Sequence, residues 1–163
     1  MKTPLRTTVL GLLCLTIMAF VLTSLAGVGT EQSAQPLKSQ IVRQDAARVT
    51  KGDWGQMFRY FEGESPATRN VLVAVADVQP GKAVHKAHRH GEEEYLMLLE
   101  GSGVWSLDGK ETPAKTGDIL FAVPWVYHGL TNTGTQPLRF AVVRYNGKGV
   151  ELPPRPDDRP DEL

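Results

Sequence analysis

From Asn70 to Tyr145 the apolar residues come in short runs, each closed by residues that turn a chain. Asn70–Val78 (NVLVAVADV) is rich in β-branched residues and stops at Gln79-Pro80-Gly81. Glu94–Leu99 stops at Gly101, and Gly103–Asp108 meets Lys110–Ala114 across Asp108-Gly109, a two-residue hairpin signal. Asp118–Val123 and Pro137–Tyr145 complete the series. Upstream, Gly52–Glu62 alternates bulky and polar side chains loosely and reads as a first strand, while Ile41–Thr50 is either a short helix or an extended edge. No segment of this region sustains a helical period. The pattern predicts an all-β fold, a small closed β-barrel or jelly roll, and sixteen glycines and eleven prolines among 163 residues suit such a turn-rich chain.

The flanks divide off by composition. Lys2 and Arg6 precede an apolar stretch from Thr7 to Leu25, and Ser24-Leu25-Ala26 places small residues around a cleavage point after Ala26. Residues 1–26 are therefore expected to be a signal peptide, or else an uncleaved N-terminal membrane anchor. Either form exports the domain to a periplasmic or extracellular location. Cys14, the only cysteine, lies in this stretch and lacks the small residue that a lipidated cysteine has just before it. Residues 27–40 read as a polar linker, 41–150 as the barrel domain, and 151–163 (ELPPRPDDRPDEL), Pro- and charge-rich, as a disordered tail. Lys and Arg balance Asp and Glu at eighteen each, which gives no basic footprint for nucleic acid.

All four histidines fall in two places. His85, His88 and His90 sit in Gly81–Gly101 (GKAVHKAHRHGEEEYLMLLEG), and His128 sits in VPWVYHGLTN. In a strand, residues two apart face the same way, so His88 and His90 would project together into the barrel with Arg89 turned away. Three residues then allow a turn through Gly91 before Glu94 returns to the same point, and His128 closes the set from a distant strand. With no thiolate in the domain, the site is one of nitrogen and oxygen donors for one divalent ion: Fe, Mn, Zn, Ni or Co. An octahedral ion on four protein ligands keeps two positions open for water, substrate or dioxygen, whereas a tetrahedral zinc would be closed and structural. His85 has the wrong parity to share the face of His88 and is placed at the barrel mouth or on the surface, with a pocket position and a proton-transfer role as the alternative. Glu92 and Glu93 read as solvated turn residues. Leu96 and Leu98 lie on the face of Glu94 and predict an apolar pocket, which Trp125 and Tyr127 could wall. Arg144, on the last strand, could meet an anionic substrate, but an outward-facing side chain is the preferred reading.

At these residues the chain resembles the cupin superfamily. The first cupin motif is a glycine, His-x-His, a glutamate three or four residues on, and a glycine after six more; His88, His90, Glu94 and Gly101 keep that spacing. In the second motif Gly117, His128 and Asn132 keep the register, while Val123 and Trp125 stand where proline and glycine are usual. Gly81 also lies one residue further from His88 than the pattern has it. The resemblance spans residues 70–147 and implies that His88, His90, Glu94 and His128 ligate the metal. It further implies the family's range of oxygenase, decarboxylase, isomerase and lyase chemistry on small molecules, without choosing among them, and a homodimer formed through edge strands. Three readings of function stay open: a metal-dependent enzyme, a non-catalytic module that binds or senses a small ligand, and a purely structural metal site.

Overall fold

The computed structural model describes residues 35–163. The expected signal or anchor (1–26), with Cys14, lies outside the described residues, as does most of the linker. After a 3-10 turn at Gln44–Ala46 come β1 (Arg48–Gly52), β2 (Gly55–Gly63), β3 (Thr68–Val78), β4 (Glu93–Glu100), β5 (Ser102–Leu107), β6 (Lys110–Lys115), β7 (Ile119–Ala122), β8 (His128–Thr131) and β9 (Leu138–Gly147). A six-stranded sheet runs β1-β2-β3-β9-β4-β7, and a three-stranded sheet runs β6-β5-β8, every pairing antiparallel. The fold is an all-β barrel, as the punctuated apolar runs predict.

Alternation explains the core. Along β3, Leu72, Ala74, Ala76 and Val78 are buried, and β9 faces them with Leu138, Phe140 and Val142. β4 buries Glu94, Leu96 and Leu98 and presents Tyr95, Met97 and Leu99 outside, where the Tyr95 ring stacks on Phe121 of β7 with centroids 4.6 Å apart. Asp108 and Gly109 both take positive φ (49° and 77°), the backbone of the tight hairpin expected there. Gly103 is needed for contact between strands, because a Cβ there would stand 2.2 Å from the Thr131 carbonyl oxygen.

Two readings of the sequence are corrected. The first predicted strand starts three residues late, at Gly55, because Asp53-Trp54 forms a tight turn that pairs Gly52 with Gly55; Gly52 instead closes β1, the extended edge expected within 41–50. β2 also carries a bulge between Arg59 and Phe61. Arg59 pairs with Ala74 and Glu62 pairs with Leu72, and both of those partners face the interior. The extra residue thus turns Arg59 and Glu62, three apart, to the same side, which simple alternation forbids.

The C-terminal segment, for which composition predicts disorder, packs along the barrel. Backbone bonds join Arg89 N–H to the Asp161 carbonyl (2.9 Å) and Leu163 N–H to the Ala87 carbonyl (3.0 Å). The Arg89 side chain, 1% exposed, ion-pairs with Asp158 (3.2 Å) and Asp161 (3.5 Å) and donates to the carbonyls of Pro156 and Arg159. Arg89 does turn away from the histidines as parity predicts, but into this segment and not into water. A buried guanidinium needs acceptors, and the acidic segment supplies them.

Candidate metal centre

His88 and His90 lie in the irregular stretch before β4, Glu94 is the second residue of β4, and His128 opens β8, so the cluster joins the two sheets. The joint is made by backbone: His88 N–H donates to the His128 carbonyl (3.0 Å) and His128 N–H to that of His88 (2.9 Å). Ring centroids of His88, His90 and His128 lie 4.8–5.0 Å apart. One ring nitrogen from each falls within 4.8 Å of the others, close enough for a single ion to touch all three.

The donor chemistry tests whether an ion fits. His128 Nδ1 donates to the Val126 carbonyl at 2.8 Å, which leaves Nε2 of the neutral ring as a lone pair. That nitrogen faces Glu94 Oε1 at 3.3 Å, and Glu94 Oε2 lies 3.2 Å from His90 Nε2. On the other side of His90, Nδ1 comes within 3.2 Å of Glu92 Oε2, whose second oxygen accepts from Asn70 Nδ2 at 3.0 Å. Lone pairs therefore converge on a buried point, where they repel unless a proton or a cation stands between them. His88 Nδ1, His90 Nδ1 and His128 Nε2 are also buried without a well-aligned hydrogen-bond partner among the described residues. The set fits a divalent ion: His88, His90 and His128 can hold it, Glu94 can complete it, and Glu92 and the Val126 carbonyl orient two of the rings. Such an ion would supply a Lewis acid to a bound oxygen atom.

Electrostatics divide the rings in the metal-free state. Burial, reinforced by the neighbouring imidazoles, pushes His88 down to about 3. Burial would lower His90 as well, but the flanking Glu92 and Glu94 carboxylates outweigh it and push it up to about 9. Glu92, with Oε2 3.2 Å from His90 Nδ1, drops to about 2, chiefly through its interaction with that ring. Burial would raise Glu94, yet His128 and His90 hold it far below the ordinary carboxylate range.

A cavity of about 160 Å³ opens beside the cluster, lined in part by His85, His88, Glu94 and Leu96, with Arg59 and Arg144. Parity does not govern His85, because its stretch is not a strand: its ring centroid lies 3.8 Å from that of His88 at the cavity mouth. The other expected pocket residues go elsewhere. Leu98 is fully buried in the core. Trp125 donates its indole N–H to the Pro153 carbonyl at 2.8 Å, and the Tyr127 hydroxyl donates to that of Pro160, with Arg89 over its ring. Both are drawn to the C-terminal segment and away from the site. Trp125 has φ +67°, so it keeps the left-handed backbone of the glycine it replaces in the motif. Asn132 holds a turn, donating to the Val78 and Gln136 carbonyls while accepting from Gly134 N–H.

Comparison with known proteins agrees with this geometry. The family described as "Cupin domain" matches residues 74–144. An oxalate-binding protein of Thermotoga maritima is 32% identical over 88 residues, covering 54% of this chain and 73% of the relative. The chain belongs to the cupin superfamily. The dimethylsulfoniopropionate lyase DddW of Ruegeria pomeroyi is 34% identical over 79 residues, 48% of this chain and 51% of the lyase, so this cupin spans about half of that relative. Among solved structures, a Klebsiella pneumoniae protein with a double-stranded β-helix domain superposes with a TM-score of 0.54 at 24% identity, over 72% of this cupin and all of that chain (100%). That likeness concerns the fold.

Sequence reasoning missed two contributors. Arg144 was expected to face outward, but its cross-strand partners are Leu72 and Glu94, which face inward. Glu92 was expected in solvent and instead braces His90. The signal for Glu92 was its place two residues after a ligand candidate, where a carboxylate can reach back to the imidazole.

Proposed function

We propose that the protein is an exported, divalent-metal cupin that acts on a small organic molecule at His88, His90, Glu94 and His128. The observation that carries this reading is the convergence of the His128 and His90 Nε2 atoms on the two oxygens of one buried carboxylate, 3.3 and 3.2 Å away. A cavity lined by both apolar and charged side chains adjoins that point, and an open coordination position facing it would let a ligand oxygen reach the ion. At the mouth, His85 donates Nδ1–H to the Lys86 carbonyl (2.8 Å), which leaves Nε2 of the neutral ring to accept a proton.

The second reading is a module that binds or senses a small ligand without turning it over. It is favoured by the binding name of the Thermotoga relative, 73% of which the chain covers.

The deciding experiment measures metal in the purified full chain by elemental analysis. Oxygen uptake and product formation are then followed with diketones, catechols, flavonols and small dicarboxylates. Turnover by the metal-loaded protein, lost in His88→Ala together with the metal, supports the enzyme. Saturable binding without turnover supports the module. Stoichiometric metal retained in His88→Ala would remove the ligand assignment.

A further inference from the structure

The sheet register places two cations in the cavity. In one row across the sheet, Glu62, Leu72, Arg144 and Glu94 are successive cross-strand partners; in another, Arg59, Ala74, Val142 and Leu96 are. Arg59 and Arg144 therefore reach the same chamber from β2 and β9, and both line it. Neither is fully paired, although the Glu92 carboxylate, engaged by His90 and Asn70, lies within electrostatic reach of Arg144. Arg144 makes no ion pair or hydrogen bond among the described residues. Arg59 Nε is buried with no hydrogen-bond partner, although Glu62 approaches it to 3.7 Å at the rim and Thr50 accepts from another of its nitrogens. Glu62 is shared with Arg48, and Glu94 is taken up by two histidines. The guanidinium of Arg59 is held below its ordinary pKa by burial first, then by the like charges of Arg48 and Arg144. An anion between the two arginines would relieve that repulsion.

We propose that Arg59 and Arg144 hold the carboxylate of a short organic acid whose other end reaches the histidine cluster. The substrate or ligand class of this cupin is then small carboxylates, and the inference rests on the metal-site reading above. Planar guanidinium forks match a carboxylate bidentately. Met57, Leu72 and Phe140 line the same cavity, which suits a carbon skeleton better than an inorganic anion. A volume of about 160 Å³ is close to the ~150 Å³ that accommodates benzene in an apolar cavity, so about six to eight non-hydrogen atoms fit.

The test is calorimetric titration of the full chain, metal-loaded and metal-free, with malonate, succinate and glutarate. Succinamide serves as the uncharged molecule of similar shape, and inorganic phosphate as the inorganic anion. At least one diacid is expected to bind the loaded protein, with succinamide roughly tenfold or more weaker than succinate. Arg144→Gln and Arg59→Gln should each lose roughly tenfold in diacid affinity with metal content unchanged, and Arg144→Lys should recover part of the loss. Binding of no diacid, equal affinity for succinate and succinamide, tighter phosphate, or unchanged affinity in both Gln variants would overturn the proposal. A wild-type chain that takes up no metal yet binds diacids through the arginines would overturn the metal reading alone. One that takes up metal and ignores the carboxylate would overturn this inference alone.

Discussion

Arg144 and Glu94 are cross-strand partners on β9 and β4, and both face the interior of the barrel. The pair makes no ion bridge among the described residues, because the two oxygens of Glu94 are turned to His128 and His90. Removing the carboxylate that braces one of these rings tests the arrangement. Glu92→Gln should weaken metal binding by about 10–100-fold while leaving the fold intact, as measured by competition with a chromogenic chelator. Unchanged affinity would mean that Glu92 does not orient His90.

The titration of the cluster predicts a stability maximum in the metal-free protein. His88 has a folded pKa near 3 against an ordinary 6.5, so the unfolded chain binds the extra proton and stability rises with pH across that interval. His90 has a folded pKa near 9, so its contribution is complete below 6.5 and is lost as pH rises towards 9. Urea midpoints of chelator-treated protein should therefore peak near pH 6.5. With saturating zinc the alkaline limb should flatten, because the ion displaces the proton on His90. A monotonic profile in the metal-free protein would contradict these shifts.

Arg89 and its acidic partners give a test of the C-terminal segment. Asp158→Ala with Asp161→Ala strands a buried cation and should lower the urea midpoint. Adding Arg89→Met should recover much of the loss, since an apolar side chain of similar length tolerates the site. Equal midpoints for the double and triple variants would show that the ion pairs are not what holds the segment.

Trp125 separates backbone from side chain. Trp125→Gly and Trp125→Ala both remove the indole bond to Pro153, but only glycine accepts φ +67° without strain. The glycine variant should be the more stable of the two by about 1 kcal/mol in chemical denaturation. The reverse order would show that this backbone relaxes once the indole is gone.

The barrel was legible because its turns are written in Gly, Pro and Asp-Gly and its strands alternate. The cluster was legible because His88, His90, Glu94 and His128 stand at spacings that few other arrangements need. Arg59 and Glu62 were not, because a bulge at Tyr60 resets the parity of β2 and no residue type announces it. Arg144 was misplaced although parity counted from Val142 turns it inward; a charged side chain was assumed to prefer water. The C-terminal segment was misread because composition reports the absence of apolar residues, and cannot report a buried Arg89 waiting for carboxylates.

The reciprocal bonds between His88 and His128 have a kinetic consequence. They close a loop of about forty residues, so the contact costs more chain entropy than the hairpins and is expected to form after them. An ion held there has little to bind in a half-folded chain, so it should leave the folding rate nearly unchanged and slow unfolding instead. The ion captured would then be one available where the chain completes its fold, so the setting of maturation, as well as the affinity of the donors, would govern which metal the barrel carries.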